Sequence, residues 1–359
     1  CTGEPARAPD AVEGVDVRLL PRRPRVAALQ RLVDVADMNV HLRPRLAWDR
    51  MWRVLAAHFA RAGAHANADV ATYAVDSLRQ LSLKFLAKEE LKAFTFQRAF
   101  LKPFERAFRA NQGSLDRAPV RAYIVACLDV LVQARASKIR SGWKSILGVL
   151  KDASGDPDRA VSQAAFEALG RVLDHHLALV APDFVSVVGT AAAFASYSVA
   201  DEARSATALE ALARLDACAR ALADGSIRAA TRAASASRDG DLPEGPENEP
   251  PPDDAQLELW WPLLLGLARL VADPREKVRN AALATLRRVL ERDGLKEFGA
   301  ETWRLVFRGV LFPCLESAWT DDAPRPASVR PTDPPPGPPP PSEASWLDTT
   351  APAVLDCIV

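Results

Sequence analysis

Five histidines, five cysteines and one run of basic residues are the side chains of this 359-residue sequence whose types and spacing could do chemistry. Metal binding needs histidine, cysteine or carboxylate donors that converge at ligand spacing. His41, His58, His65, His175 and His176 do not offer that pattern. The adjacent pair His175-His176 diverges by about 100° on a helix, so both rings cannot share one face. His58 sits one position from an apolar stripe and reads as a boundary residue. Cys1, Cys127, Cys218, Cys314 and Cys357 are scattered without a CxxC pair, which reads as a reduced, intracellular protein. There is no G-x-S-x-G and no phosphate-cradling glycine loop. The sequence therefore predicts no catalytic residue, no cofactor site and no metal site. An enzyme with an unrecognised site is a rival reading that activity of the isolated chain would have to revive.

The basic run is a different kind of signal. Arg135, Lys138, Arg140, Lys144 and Lys151 fall within 17 residues with no acidic residue among them, and Trp143 lies in their midst. They span a predicted helix end, a predicted Ser141 cap and the next helix. Such a strip suits acidic lipid headgroups or an acidic protein face. The same residues also fit a solvated surface whose cations lie near a helix C-terminus, where the dipole favours them. Both readings stay open, and one helical turn of register decides between them. Arg79, Lys84, Lys88 and Lys92 are diluted by Glu89 and Glu90 and read as solvated surface. Lys+Arg and Asp+Glu balance at 46 each, so no global field favours nucleic acid.

The elements that must carry these residues are helices. Trp48, Trp52, Leu55 and Phe59 share one helical face, as do Val120, Ile124, Leu128 and Leu131. Trp48, Trp52, Trp260 and Trp261 read as core. Breaks at Gly63, Gly113, Ser141-Gly142, Gly155, Pro182, Gly225 and Gly294 delimit about a dozen helices. An internal repeat supports more than a bundle. Asp156-Pro157 with Val161, Ala164, Ala165 and Leu169 aligns without gaps to Asp273-Pro274 with Val278, Ala281, Ala282 and Leu286. Weaker copies start at Val70 and Val120, near the HEAT-type period of about 40–47 residues. Asp is expected to cap each helix and Pro to occupy its first turn. The predicted fold is all-α, a HEAT/armadillo-like α-solenoid.

Its predicted organisation is an irregular segment 1–25, helical repeats over 26–238, a disordered acidic linker 239–254 and further repeats over 255–319. A Pro-rich linker 320–345 and the start of another helix at 346–359 follow. Asp239–Asp254 carries seven acidic residues, five prolines and no basic residue; Pro324–Pro341 carries ten prolines and reads as an extended spacer. No apolar run approaches the roughly 20 residues of a membrane span. The chain begins at Cys1 and stops within an apolar run, which reads as a fragment.

Ordered blocks along the chain resemble the region downstream of the catalytic domain in the large, brefeldin A-inhibited Arf guanine-nucleotide exchange factors. They are Leu46–Trp52, Asp76–Leu86, Phe100-Leu101-Lys102-Pro103-Phe104-Glu105, Ser141-Gly142-Trp143-Lys144-Ser145, Trp261–Leu267, Asp273-Pro274-Arg275 and Val310–Pro313, with a short return at Trp346–Thr350. The resemblance covers roughly Leu42 to Glu316 and points to the homology-downstream regions. It implies a cytosolic protein recruited to Golgi or endosomal membranes, whose partners are Arf-family and other small GTPases, acidic lipids and the catalytic Sec-seven domain of the parent protein. It also implies a non-catalytic role in membrane recruitment and autoinhibition. The acidic insertion and the proline-rich tail depart from the family pattern. The alternatives are a related Golgi scaffold without an exchange domain and an unrelated HEAT scaffold of adaptin or transport-receptor type; the second would explain the repeats but not the ordered blocks.

Overall fold

The computed structural model describes residues 26–87, 96–196, 202–236 and 252–314. Twelve successive helices carry most of it: α1 (Ala27–Leu42), α2 (Arg45–Gly63), α3 (Ala68–Phe85), α4 (Phe96–Ala110), α5 (Ala118–Arg135), α6 (Trp143–Ser154), α7 (Arg159–Val180), α8 (Phe184–Ala195), α9 (Glu202–Ala223), α10 (Ser226–Ala236), α11 (Pro252–Val271) and α12 (Glu276–Val289). A π-turn at Leu290–Gly294 and a helix at Ala300–Val306 follow. There is no strand among the described residues. Segment 1–25, most of the acidic linker and the whole proline-rich tail lie outside them. Helix α11 begins at Pro252, three residues before the predicted boundary at 255.

The helices alternate between two layers. In the first layer α2, α4, α6, α8 and α11 stack side by side; in the second α1, α3, α5 and α7 do the same, and α9 leads on to α12. Each first-layer helix also packs on the second-layer helix that follows it, which makes the α-solenoid read from the repeats. The repeat positions fall where the pattern put them. Ala74 and Leu78 of α3, Ile124 and Leu128 of α5, Ala165 and Leu169 of α7, and Ala282 and Leu286 of α12 are all buried. Alternating large and small residues at these sites give each second-layer helix a narrow apolar stripe toward its neighbours.

Asp156 and Asp273 do not cap their helices, contrary to expectation. Asp158 is the N-cap of α7, accepting from the amides of Ala160 and Val161, and the N-cap of α12 is Arg275. The Asp-Pro steps instead form the preceding turn: Asp156 accepts the Asp158 amide at 2.9 Å and Asp273 the Arg275 amide at 3.0 Å. The remaining carboxylate oxygens take arginines. Arg121 of α5 reaches Asp156 through Nε at 2.6 Å and Nη2 at 2.9 Å, with both side chains fully buried.

Arginines also close the turns between layers, whose carbonyls have no helical donor. Arg121 donates to the carbonyls of Asn111 and Ser114, and Arg117 to those of His65 and Ala66. Arg204 donates to the Asp156 carbonyl and Arg275 to that of Ala195. Arg117, Arg204 and Arg275 each lie near the start of a second-layer helix and hold a turn or helix end of the repeat before it, whereas Arg121 holds the turn that leads into its own helix.

One helical stretch, Arg159–Ala195, is apolar and long enough to cross a membrane, which the apolar-run reading missed because charged residues interrupt it. It is two helices in different layers, α7 and α8, joined by a turn at Ala181–Asp183. Its apolar character serves packing: α8 is wedged between α6 and α11 in the first layer and against α9 below.

Breaking a buried ion pair by removing one partner leaves an uncompensated charge and is expected to cost about 3–5 kcal/mol. Urea denaturation of Arg121→Met should show a loss of that size; a loss below about 1 kcal/mol would contradict the role assigned to the pair.

Candidate functional site

The predicted basic strip lies where α5 ends, crosses to the first layer and enters α6. Arg135, Lys138, Lys144 and Lys151 are exposed and Arg140 is half-buried. Trp143 is 1% exposed, so its indole is core and cannot meet a partner from this surface. Residues around a helix start need such an anchor, and the neighbouring Ser-Gly step explains how it is reached.

Ser141-Gly142-Trp143-Lys144-Ser145 is a joint between α6 and α4. Gly142, not Ser141, is the N-cap of α6, and it makes no side-chain cap. The Ser141 hydroxyl instead accepts the amide of Arg98 in the first turn of α4, at 3.2 Å, and the Ser145 hydroxyl donates to the Arg98 carbonyl. A Cβ at Gly142 would lie 3.0 Å from Leu101 Cδ1, so the close approach to α4 favours glycine. Gln97, itself fully buried, clamps the connection: its Nε2 donates to the Lys138 carbonyl at 2.9 Å and its Oε1 accepts the Arg140 amide at 2.7 Å. Lys144 Nζ lies 3.6 Å from Asp183 in the α7–α8 turn.

Packing α4 beside α6 adds residues that the sequence reading did not single out. Arg98, Lys102 and Arg106 recur every four residues along α4, on one stripe, and all are exposed. The α2 neighbour contributes exposed Arg50 and Arg61. The acidic residues on the outer surfaces of these three helices are already paired: Asp49 with Arg53, and Glu105 and Asp152 with Arg109. The outer surface of α2, α4 and α6 is therefore a basic face of the first layer, with exposed Leu46 and Val54 on α2 at its margin. The signal for α4 was present as basic residues at i, i+4 and i+8, within and beside the Phe100–Glu105 block.

That block has its own internal logic. Pro103 has no amide to give the Ala99 carbonyl, and Trp52 Nε1 points at that carbonyl from α2, at 3.4 Å. Trp52 and Phe85 each stack on Phe100 with ring centroids 3.8 Å apart, which locks α2, α3 and α4 together. Trp261, by contrast, is only partly buried and lies over Gly309, where a Cβ would meet its ring at 2.4 Å.

The titratable groups elsewhere are set for structure. Burial pushes the thiols of Cys127 and Cys218 up to about 12, so neither is a nucleophile near neutral pH. Burial alone would raise the Asp76 carboxyl, but hydrogen bonds from Arg79, Gln80 and Tyr123 outweigh it and hold the group below its ordinary value. Burial and the Asp76 bond push Tyr123 up to about 12. This cluster ties α3 to α5. Arg79 and Lys84 of the second sequence feature are likewise paired, with Asp76 and Asp37. Lys88 and Lys92 lie outside the described residues.

Residues 84–171 match the family model described as Mon2/Sec7/BIG1-like, HDS, and residues 260–334 the one described as GBF1-like, tetratrico peptide repeat region. Brefeldin A-inhibited guanine nucleotide-exchange protein 1 of Arabidopsis thaliana is 32% identical over 333 residues, 91% of this chain. The chain belongs to this exchange-protein family. Protein 3 of the same plant is 31% identical over 345 residues, 94% of this chain, and protein 1 of Homo sapiens is 32% identical over 302 residues, 82% of it. The chain spans 19% of the length of the plant exchange proteins and 15% of the human one. The joint between α4 and α6, with most of the basic face, falls inside the first matched region. Exchange-family homology thus covers a helical region associated with a guanine nucleotide-exchange protein.

Two outcomes follow from the geometry. Gln97→Ala is expected to lose about 1–3 kcal/mol through its unsatisfied partners, and amide exchange at Arg140 should accelerate more than exchange within α5. Asp76 carries a depressed folded value, so its contribution is present above the unfolded value, about 3.9, and is lost as pH falls through the folded value. The stability gap between wild type and Asp76→Asn, read by urea midpoints, should therefore narrow below about pH 4; a gap that widens on acidification would refute the assignment.

Proposed function

We propose that this chain is a non-catalytic regulatory region of a large Arf guanine-nucleotide exchange factor, acting in Golgi or endosomal trafficking through membrane recruitment and autoinhibition. The observation that carries the reading is the coincidence of exchange-protein homology over 91% of the chain with a basic face whose acidic neighbours are already paired. This reading assigns exchange chemistry to the Sec-seven domain of the parent protein. A two-layer solenoid suits the role because its long surface can hold a GTPase, a membrane and a neighbouring domain at once.

The basic face takes acidic lipid headgroups, with Arg98, Lys102, Arg106 and Lys144 as its centre and Arg135, Lys138, Arg140 and Lys151 along its rim. Each cation near an anionic surface contributes about 1 kcal/mol, so a face of this size gives reversible, salt-sensitive recruitment. A GTP-loaded Arf protein on the same membrane supplies the second contact. Arf and other small GTPases, and the parent's catalytic domain, are the proposed protein partners. The alternative, a scaffold of a related Golgi trafficking protein without an exchange domain, keeps the same helices; exchange activity of the intact parent protein separates the two.

Vesicle flotation tests the reading, with acidic vesicles bearing no Arf, Arf-GDP or Arf-GTP. Wild-type chain is expected to float best with Arf-GTP, and Lys102→Glu/Arg106→Glu/Lys144→Glu to lose at least about tenfold in bound fraction at low salt. Equal flotation of the two proteins would remove the basic face from the account. Flotation that ignores the nucleotide on Arf would remove the GTPase from it.

A further inference from the structure

Four of the five most exposed large apolar side chains among the described residues belong to α1 and α2: Met38, Leu42, Leu46 and Val54 are 64%, 76%, 70% and 73% exposed. Scattered exposed leucines need no explanation, but a cluster marks a contact surface. Leu42 is the last residue of α1 and Leu46 the second of α2, so the two flank one short corner. Pro44 keeps Arg43 before it in extended backbone, which ends α1 there. Trp48 and Trp52 bury the opposite face of α2, which leaves Leu46 and Val54 no route inward.

The corner sits beside the basic face. Helices α2, α4 and α6 run parallel: Asn111 at the end of α4 bonds the Gly63 carbonyl at the end of α2, and Ser141 before α6 bonds Arg98 in the first turn of α4. The corner therefore shares an edge with the starts of α4 and α6, one and two interhelix spacings of about 8–10 Å away. Arg43 and Arg50 are exposed among its apolar residues. Arg43 bonds only Asn39, and Arg50 has no ion-pair or hydrogen-bond partner among the described residues. The single acidic residue between Asn39 and Val54, Asp49, is taken by Arg53.

We propose that this corner is an apolar prong that enters the interfacial layer of an anionic lipid bilayer. Leu42 and Leu46 pass below the headgroups, while the stems of Arg43 and Arg50 lie along them and leave the guanidiniums at the phosphates. Apolar tips ringed by uncompensated cations match a surface that is negative outside and hydrocarbon beneath. Asp34 is exposed two turns back along α1, about 12 Å from Leu42, and limits entry to the corner. The prong rests on the proposed membrane role of the basic face and adds a contact that salt does not screen.

Vesicle flotation of wild type and Leu42→Ser/Leu46→Ser at low and high salt tests the prong, with the urea midpoint as a folding control. On phosphatidylserine vesicles both proteins are expected to float at low salt. At about 0.5 M salt wild type should keep a bound fraction that the variant loses about tenfold. Depth is read from an environment-sensitive fluorophore on Leu46→Cys in a Cys1→Ser/Cys357→Ser background, since Cys127, Cys218 and Cys314 are buried. Its emission should shift to the blue on vesicles and be quenched by bromine on the acyl chains. Equal salt resistance of the two proteins, or a bound chain whose fluorophore stays in water, would refute the prong while leaving the basic face in place. Absence of wild-type flotation even at low salt would remove both. If the leucine variant instead turns a self-associated chain into a monomer, read by light scattering, without changing flotation, the corner is a contact between copies and not a prong.

Discussion

The repeats hold together because a helix end leaves carbonyls that something must satisfy, and in this chain arginine does so from the start of a second-layer helix, in its own repeat or from a later one. Arg121 is the fullest case. One fully buried guanidinium serves Asp156 and the carbonyls of Asn111 and Ser114, joining α5 to the α4–α5 turn and to the α6–α7 turn. A guanidinium is suited to this because it carries five donors in a rigid plane. Apolar stripes would press the helices together without fixing their stagger. Directional bonds at the turns fix it, and every surface feature inherits that stagger.

The same economy of partners shapes the charged surface. Along the turn edge, acidic and basic groups are drawn into pairs and staples. On the outer face of α2, α4 and α6, Arg53 and Arg109 consume the acidic residues, Lys144 reaches Asp183 of the next turn, and Arg98, Lys102 and Arg106 stay exposed. A chain with balanced formal charge thereby presents one basic face. A broad basic face can persist in a neutral protein because pairing is local and the Debye length at physiological salt is only about 8 Å.

The blocks that resemble the exchange-factor family coincide with packing joints. Ser141-Gly142-Trp143-Lys144-Ser145 seats α6 on the first turn of α4, and Phe100–Glu105 holds an aromatic stack and a proline whose orphaned carbonyl faces Trp52. Such residues are constrained on several sides at once, which leaves a recognisable local signature. Arg98, Lys102 and Arg106 face solvent, meet no such constraint, and their significance emerges only when α6 is laid beside them.

What the sequence determined alone was whatever depends on local period. The all-α class, most of the helix breaks and the Val-Ala-Leu stripes follow from 3.6-residue periodicity and turn chemistry and appear as read, whereas the break expected at Gly294 is absent because a π-turn carries helical backbone on to Glu297. The sequence also located the basic strip. What it could not decide was direction and partnership, because both are set by residues about 35 to 50 positions away. Asp156 read as a cap by its place before a helix, yet Arg121 made it a buried counter-ion. Ser141 read as the cap of its own helix, yet it serves α4. Trp143 stood among lysines in the chain, yet stacking α6 on α4 turned it inward.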